Sequence, residues 1–176
     1  MLQIFAVSGM WIAEVTILSA ILAVVEIVLE RGQGWATALG NDGLGIRLLA
    51  GSPLASWIDK PYITAYHLLV FGAVLPTVLL AQSRVAALTG LGVPATPMGN
   101  FLFYFSAFLA ICIVEDFLWF ALNWYYPTSL TDLFDGKIWW HTGWVALGPS
   151  LKLPRCYFSV GGVALCLFVL RLALAG

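Results

Sequence analysis

Residues 101–126 read Phe-Leu-Phe-Tyr-Phe-Ser-Ala-Phe-Leu-Ala-Ile-Cys-Ile-Val-Glu-Asp-Phe-Leu-Trp-Phe-Ala-Leu-Asn-Trp-Tyr-Tyr. This stretch is apolar all the way round a helix, whereas a helix lying on a water-soluble core keeps a polar face. About 20 apolar residues in helical form cross the hydrocarbon core of a bilayer. The segment therefore predicts a membrane span over about Asn100–Tyr126, stopped by Pro127. Glu115 and Asp116 alone interrupt it with charge.

Three further segments have the same character. One runs from Leu2 to about Leu29; no basic residue precedes it, unlike a secretory signal, so it reads as a retained helix. A second runs from about Tyr62 to Gln82 and contains Gly72 and Pro76. Pro76 cannot donate to the Gly72 carbonyl, which predicts a kink. The last runs from Tyr157 to about Ala175, with Arg171 placed to snorkel to the interface. No strand alternation, barrel pattern or internal repeat stands out. The expected fold is all-α: a single bundle over residues 1–176 with four transmembrane helices, two interfacial loops and both termini on one side.

Composition agrees. Of 176 residues, 61% are hydrophobic and 10% charged, against about 25% charged in a soluble domain. A soluble enzyme and a disordered chain are thereby excluded. Eight Lys and Arg against nine Asp and Glu leave no basic patch for phosphates, so nucleic acid is not an expected partner. Cys112, Cys156 and Cys166 form no C-x-x-C pair and read as small apolar filler rather than as a redox couple.

The loop after span one carries Arg31, Arg47 and Lys60, and the loop after span three carries Lys137, Lys152 and Arg155; the other side has Arg84 and Arg171. By the positive-inside rule both longer loops face the cytoplasm and both termini lie outside. The loops are themselves apolar. Leu44, Ile46, Leu48, Leu49, Leu54, Trp57 and Ile58 lie in the first, and Leu130, Leu133, Phe134, Ile138, Trp139, Trp140, Trp144 and Leu147 in the second. They read as short interfacial helices or re-entrant turns. Trp35, Trp57 and Trp124 suit interfacial anchors.

Ionisable groups inside spans are expensive and normally face the bundle interior with a partner. Glu14 falls near the middle of span one, with Glu26 and Glu30 near its cytoplasmic end. His67 lies in the cytoplasmic part of span two, Glu115 and Asp116 in span three, and His141 in the second loop. Asp116 and Asn123, seven apart, share one face beside Phe120, and Glu115 points about 100° away. No lysine or arginine inside the spans neutralises these acids, so protons or a bound cation must.

Nitrogen and oxygen groups of this kind suit a divalent metal such as zinc, iron or manganese, with Glu26, His67, Glu115, Asp116 and His141 as candidate ligands. Asn123, Tyr66 and Trp140 are candidates for hydrogen bonds behind them. No H-E-x-x-H, H-x-x-x-H or E-x-x-H spacing accompanies the set. The competing structural reading has protonated carboxylates bonded across helices to hydroxyl groups.

The string Glu115-Asp-Phe-Leu-Trp-Phe-Ala-Leu-Asn123, then Ile138-Trp-Trp-His141 and Leu153-Pro-Arg-Cys-Tyr157, resembles a motif pattern in small bacterial four-helix integral membrane proteins. The resemblance covers about residues 115–157. In the family pattern Pro directly follows the Asn, whereas here Trp124 follows and Pro127 comes later. It implies a bacterial inner-membrane setting, draws attention to Glu115, Asp116, Asn123 and His141, and carries no activity.

The leading expectation is a metal-dependent intramembrane enzyme acting on a lipid or isoprenoid-like substrate. Asp116 would be its general acid or base, Glu115 a ligand or electrostatic tuner, and His67 and His141 ligands or proton shuttles. Two alternatives stay open: a proton- or cation-coupled transporter or channel subunit, and an accessory subunit of a larger membrane complex. Expected partners are membrane lipids, further copies of the chain, or such a complex.

Overall fold

The computed structural model describes residues 2–30, 53, 57, 65–89, 96–138 and 140–174. Most of the first loop, with Arg31, Trp35, Arg47 and Lys60, lies outside the described residues, as do Trp139 and the side chains of Glu30 and Tyr66. The elements in chain order are α1 (Leu2–Glu30), α2 (Ala65–Leu69), a π-helical turn (Val70–Val74), α3 (Leu75–Thr89), α4 (Pro97–Leu122), α5 (Ser129–Asp135), β1 (Trp144–Gly148), β2 (Leu151–Pro154) and α6 (Arg155–Ala173). Among the described residues, four stretches are long and apolar enough to cross a membrane: Gln3–Val28, His67–Val85, Pro97–Leu122 and Arg155–Ala173. The chain is an all-α polytopic membrane protein.

The stretch that decided the class, α4, is also the central helix, with α1 and α6 as its main neighbours. On one side Trp11 Nε1 donates to Ser106 Oγ (2.9 Å) and Ser19 Oγ to the Ile111 carbonyl (3.4 Å). Ile27 packs against Trp119 and Phe120. Residue numbers rise together along both helices, so α1 and α4 run parallel. On the other side Phe168 joins Phe103 and Val7, while Tyr157 reaches Asp116, so α6 runs antiparallel to α4. Small residues make the close α1–α4 approach feasible: Ser19, Ala23, Ser106 and Ala107 are all fully buried. In a bilayer, where burial from water drives nothing between helices, such close packing is the main source of association. α3 lies at the edge, with Leu75 and Leu79 as its buried contacts.

Local chemistry sets the helix ends. Thr96 Oγ1 accepts from the Gly99 amide at 3.1 Å and Pro97 occupies the first turn, so α4 begins three residues before the apolar run. At its other end Asn123 leaves the helical region, and its Oδ1 accepts from the Tyr125 amide at 3.1 Å. The aromatic run Trp124–Tyr126 prolongs the hydropathy beyond the helix. At Pro76 the disturbance takes the form of a π-helical turn: the Leu75 amide donates to the Val70 carbonyl five residues back. Thr77 Oγ1 caps the Ala73 carbonyl at 2.7 Å. A wider turn ahead of the proline accommodates the donor that proline lacks.

Two sequence expectations are corrected. Arg171 does not snorkel: only 3% of it is exposed. The second loop is not purely helical or re-entrant, because after α5 it forms an antiparallel hairpin in which Trp144 pairs with Pro154, Val145 with Leu153 and Ala146 with Lys152. Strands of five and four residues are too short to impose a visible alternation. The start of α1, the end of α3, the start of α4 and the end of α6 lie at one end of the bundle, here the terminal end; α5 and the hairpin close the other, the hairpin end.

Candidate functional site

Near the hairpin end, Asp116 of α4 and Tyr157 in the first turn of α6 meet. Tyr157 Oη donates to Asp116 Oδ2 at 2.6 Å. His141 Nε2 lies 3.3 Å from the same oxygen. Asp116 sits six residues, about 9 Å, from the end of α4. The three side chains come from a span, a loop and a second span, so the site exists only when the loop is folded onto the bundle.

That loop is held by its own bonds. Ser129 Oγ donates to the Phe120 carbonyl at 2.7 Å, filling one of the acceptors the end of α4 leaves open. Asp132 accepts from Tyr126 Oη (2.6 Å) and Thr128 Oγ1 (2.9 Å). Those two hydrogen bonds, Tyr126 first, hold the Asp132 carboxyl below its ordinary range, with Lys137 adding attraction. The same bond to Asp132 pushes the Tyr126 phenol up. Gly136 ends α5 in the left-handed region (φ 73°), and a Cβ there would stand 2.9 Å from Lys152 Cδ. The His141 amide donates to the Ile138 carbonyl (3.3 Å) and the Arg155 amide to the Gly143 carbonyl (3.0 Å), tying both sides of the histidine.

His141 is 3% exposed. Its ring lies among aromatic faces, with centroids 5.7 Å from Trp144, 6.2 Å from Tyr157 and 6.3 Å from Phe120. Neither Nδ1 nor Nε2 makes a hydrogen bond among the described residues. Nε2 therefore approaches the Asp116 carboxyl group at ion-pair distance without a hydrogen bond between them.

Asp116 and Tyr157 also line a cavity of about 350 Å3. Glu115 and His67 reach the same cavity, whose remaining surface is apolar: Phe71, Phe108, Ile113 and Val160, with Trp57 from the first loop. The Trp57 carbonyl accepts from Ser159 Oγ at 3.0 Å, which fixes that residue against α6.

Of the residues the sequence singled out, Asp116 and His141 touch, and Asp116, Glu115 and His67 share one cavity. His67 packs its ring 5.9 Å from Phe71. Glu115 is 4% exposed. Glu26 is buried on α1 beside Ile27 and does not line the cavity. Asn123 caps α4, and its Nδ2 has no partner among the described residues. Trp140 packs on Trp119 and Phe120, with centroids 5.9 Å from each. Tyr66 is on α2, its side chain outside the described residues. Among the described residues no group of three or more His, Cys, Asp or Glu side chains is placed to hold a metal ion.

Sequence reasoning missed the role of Tyr157. Its signals were its place at the end of the Leu153–Tyr157 string and a phenol at the first turn of a span, which reads equally well as an interfacial anchor. No protein-family model matches the chain, and no curated protein and no solved structure matches it.

Proposed function

We propose that the protein is an intramembrane enzyme that moves a proton on a lipid or isoprenoid-like substrate held in the cavity beside Asp116. The observation that carries this reading is the double approach of Tyr157 Oη (2.6 Å) and His141 Nε2 (3.3 Å) to one carboxylate oxygen at the wall of an otherwise apolar cavity. A carboxylate at the wall of a largely apolar cavity has no anchoring purpose, and burial strengthens every interaction it makes. Asp116 exchanges the proton with substrate, Tyr157 holds the carboxyl group in orientation, and His141 passes the proton onward from the loop side. Glu115 and His67 border the same space and set its polarity. No step is routed through a metal; Glu26, which the sequence placed among the ligands, stands apart from the cavity. The Lys and Arg bias supports a cytoplasmic hairpin end, and the motif resemblance supports a bacterial inner membrane.

The deciding experiment incubates the purified full chain with a bacterial polar-lipid and isoprenoid extract and follows products by mass spectrometry. Wild type is expected to convert a component. Asp116→Asn lowers that turnover at least about 100-fold, with thermal stability unchanged or higher, because a neutral isostere relieves desolvation. Normal turnover in Asp116→Asn with a lower melting temperature overturns the reading. One observation favours a second reading, proton coupling in transport: Glu14 Oε1, midway along α1, is buried without a hydrogen-bond partner among the described residues. Proton flux in liposomes that Glu14→Gln abolishes, with no lipid converted, would establish it. For sidedness, a cysteine at Ser150, on the exposed hairpin tip, is expected to react only from the cytoplasmic face; labelling from outside inverts the orientation.

A further inference from the structure

A second groove lies at the opposite end of the bundle from Asp116. It runs between α3 and the first half of α4 and holds about 670 Å3. Pro76, Leu79 and Leu80 form one wall, and Phe101, Phe105 and Phe108 the other. Phe101 and Phe105 stack with centroids 5.3 Å apart, making a continuous aromatic face. Ser83, Arg84 and Asn100 cluster toward the terminal end, whereas Pro76 and Phe108 lie deep, so the groove grades from polar to apolar along its length.

Arg84 is exposed and forms no ion pair among the described residues. The sequence makes the point stronger. No Asp or Glu occurs between Asp59 and Glu115, so neither the α3 side nor the α3–α4 connection supplies a carboxylate. Glu115 is 15 residues, about 22 Å, along α4 from Asn100, and Glu14 of α1 acts on Tyr104 of the groove wall without pairing with Arg84 among the described residues. Arg84 is the one Lys or Arg lining the groove and comes at the end of the apolar stretch His67–Val85, at headgroup depth. The walls open sideways onto the apolar exterior, where Leu80 is 67% and Phe101 57% exposed.

We propose that this groove binds an anionic phospholipid of the surrounding bilayer, its phosphate on Arg84 with Ser83 and Asn100, and one acyl chain along the Phe101–Phe105–Phe108 wall. Charge complementarity selects the anion and the aromatic wall selects a tailed one. Polar contacts to a lipid phosphate at this depth replace the missing carboxylate, and the chain fills a gap that α3 and α4 leave between them.

The test is native mass spectrometry of the detergent-purified full chain equilibrated with equal amounts of phosphatidylglycerol and phosphatidylcholine. Wild type is expected to retain phosphatidylglycerol over phosphatidylcholine by about fivefold, the scale of one basic residue at a membrane surface. Arg84→Gln, an exposed change that leaves the core intact, is expected to bring the ratio to parity, and Phe105→Ala to lower the occupancy of both lipids. Equal retention in wild type overturns the proposal, as does an unchanged ratio in Arg84→Gln. Displacement of the lipid by an equal concentration of inorganic phosphate overturns it too, since the groove would then bind a headgroup alone.

Discussion

At the hairpin end of the bundle, Ile27, Trp119, Phe120, Leu133, Ile138 and Trp140 form a cluster drawn from α1, α4, α5 and the loop before β1. At the terminal end, Val7, Phe103 and Phe168 form a cluster drawn from three spans alone. The first encloses buried polar atoms and borders the Asp116–Tyr157–His141 contact. The second is smaller and more apolar, though Ser106 Oγ accepts from Trp11 Nε1 and donates to the Phe103 carbonyl, and Arg171 is buried one turn beyond Phe168. The difference shows where loop residues can add to a membrane bundle: a span gains little by burying apolar surface against another span, while a loop folded onto the bundle end withdraws its apolar residues from water.

Paired substitutions would break or sharpen this contrast. Phe120→Ala removes a side chain that is 2% exposed and stacks on Trp140. It is expected to cost about 3–5 kcal/mol in unfolding free energy measured in detergent and to reduce protection of the hairpin from proteolysis. Trp11→Phe keeps the stack on Phe168, whose centroid is 4.5 Å away, and loses the bond to Ser106; it is expected to cost only about 0.6 kcal/mol, the average for hydrogen bonds between spans. Equal costs for the two would mean that the loop contributes no more than another span. The smallest effect is one of pH. Because Tyr126 and Thr128 lower the folded-state Asp132 value, its contribution is present above the ordinary Asp range and fades as pH falls through the folded value. Amide protection factors over Ser129–Asp135, corrected for the intrinsic exchange rate at each pH, should therefore fall on acidification toward pH 3 while those of α4 hold, and Asp132→Asn should remove that pH dependence.

The spans could be read from hydropathy because chain length against bilayer thickness is a one-dimensional comparison. Which span is central could not. α4 and α1 are apolar on all faces, so nothing in their periodicity says that α4 is wrapped on two sides and α3 left at the edge. Asp116 and Glu115 stood out because buried acids are costly, and both do reach the cavity. His141 was legible as a residue type but not as the partner of Asp116, since their meeting depends on the fold of residues 123–143. Tyr157 was hidden for the same reason, and the hairpin was too short to announce itself. Grouping Glu26 with the others failed on direction: all five candidates lie toward one membrane face, yet depth alone does not say which way a side chain turns.

The π-helical turn at Val70–Val74 has a consequence for how this chain tolerates change in length. Such a turn holds one residue more than the α-helical path requires, and each residue of a helix turns it by about 100°. His67 before it and Phe71 within it border the cavity, while Leu75 and Leu79 after it pack in the core. Losing a single residue from this stretch would restore an unbroken α-helix and leave His67 on the cavity wall, because the wide turn had absorbed that residue, whereas gaining one more would rotate α2 by about a quarter turn and carry His67 off it. The span would still cross the membrane, and its hydropathy would be nearly unchanged. Length variants at this point would therefore pass for silent in sequence while separating membrane insertion from function.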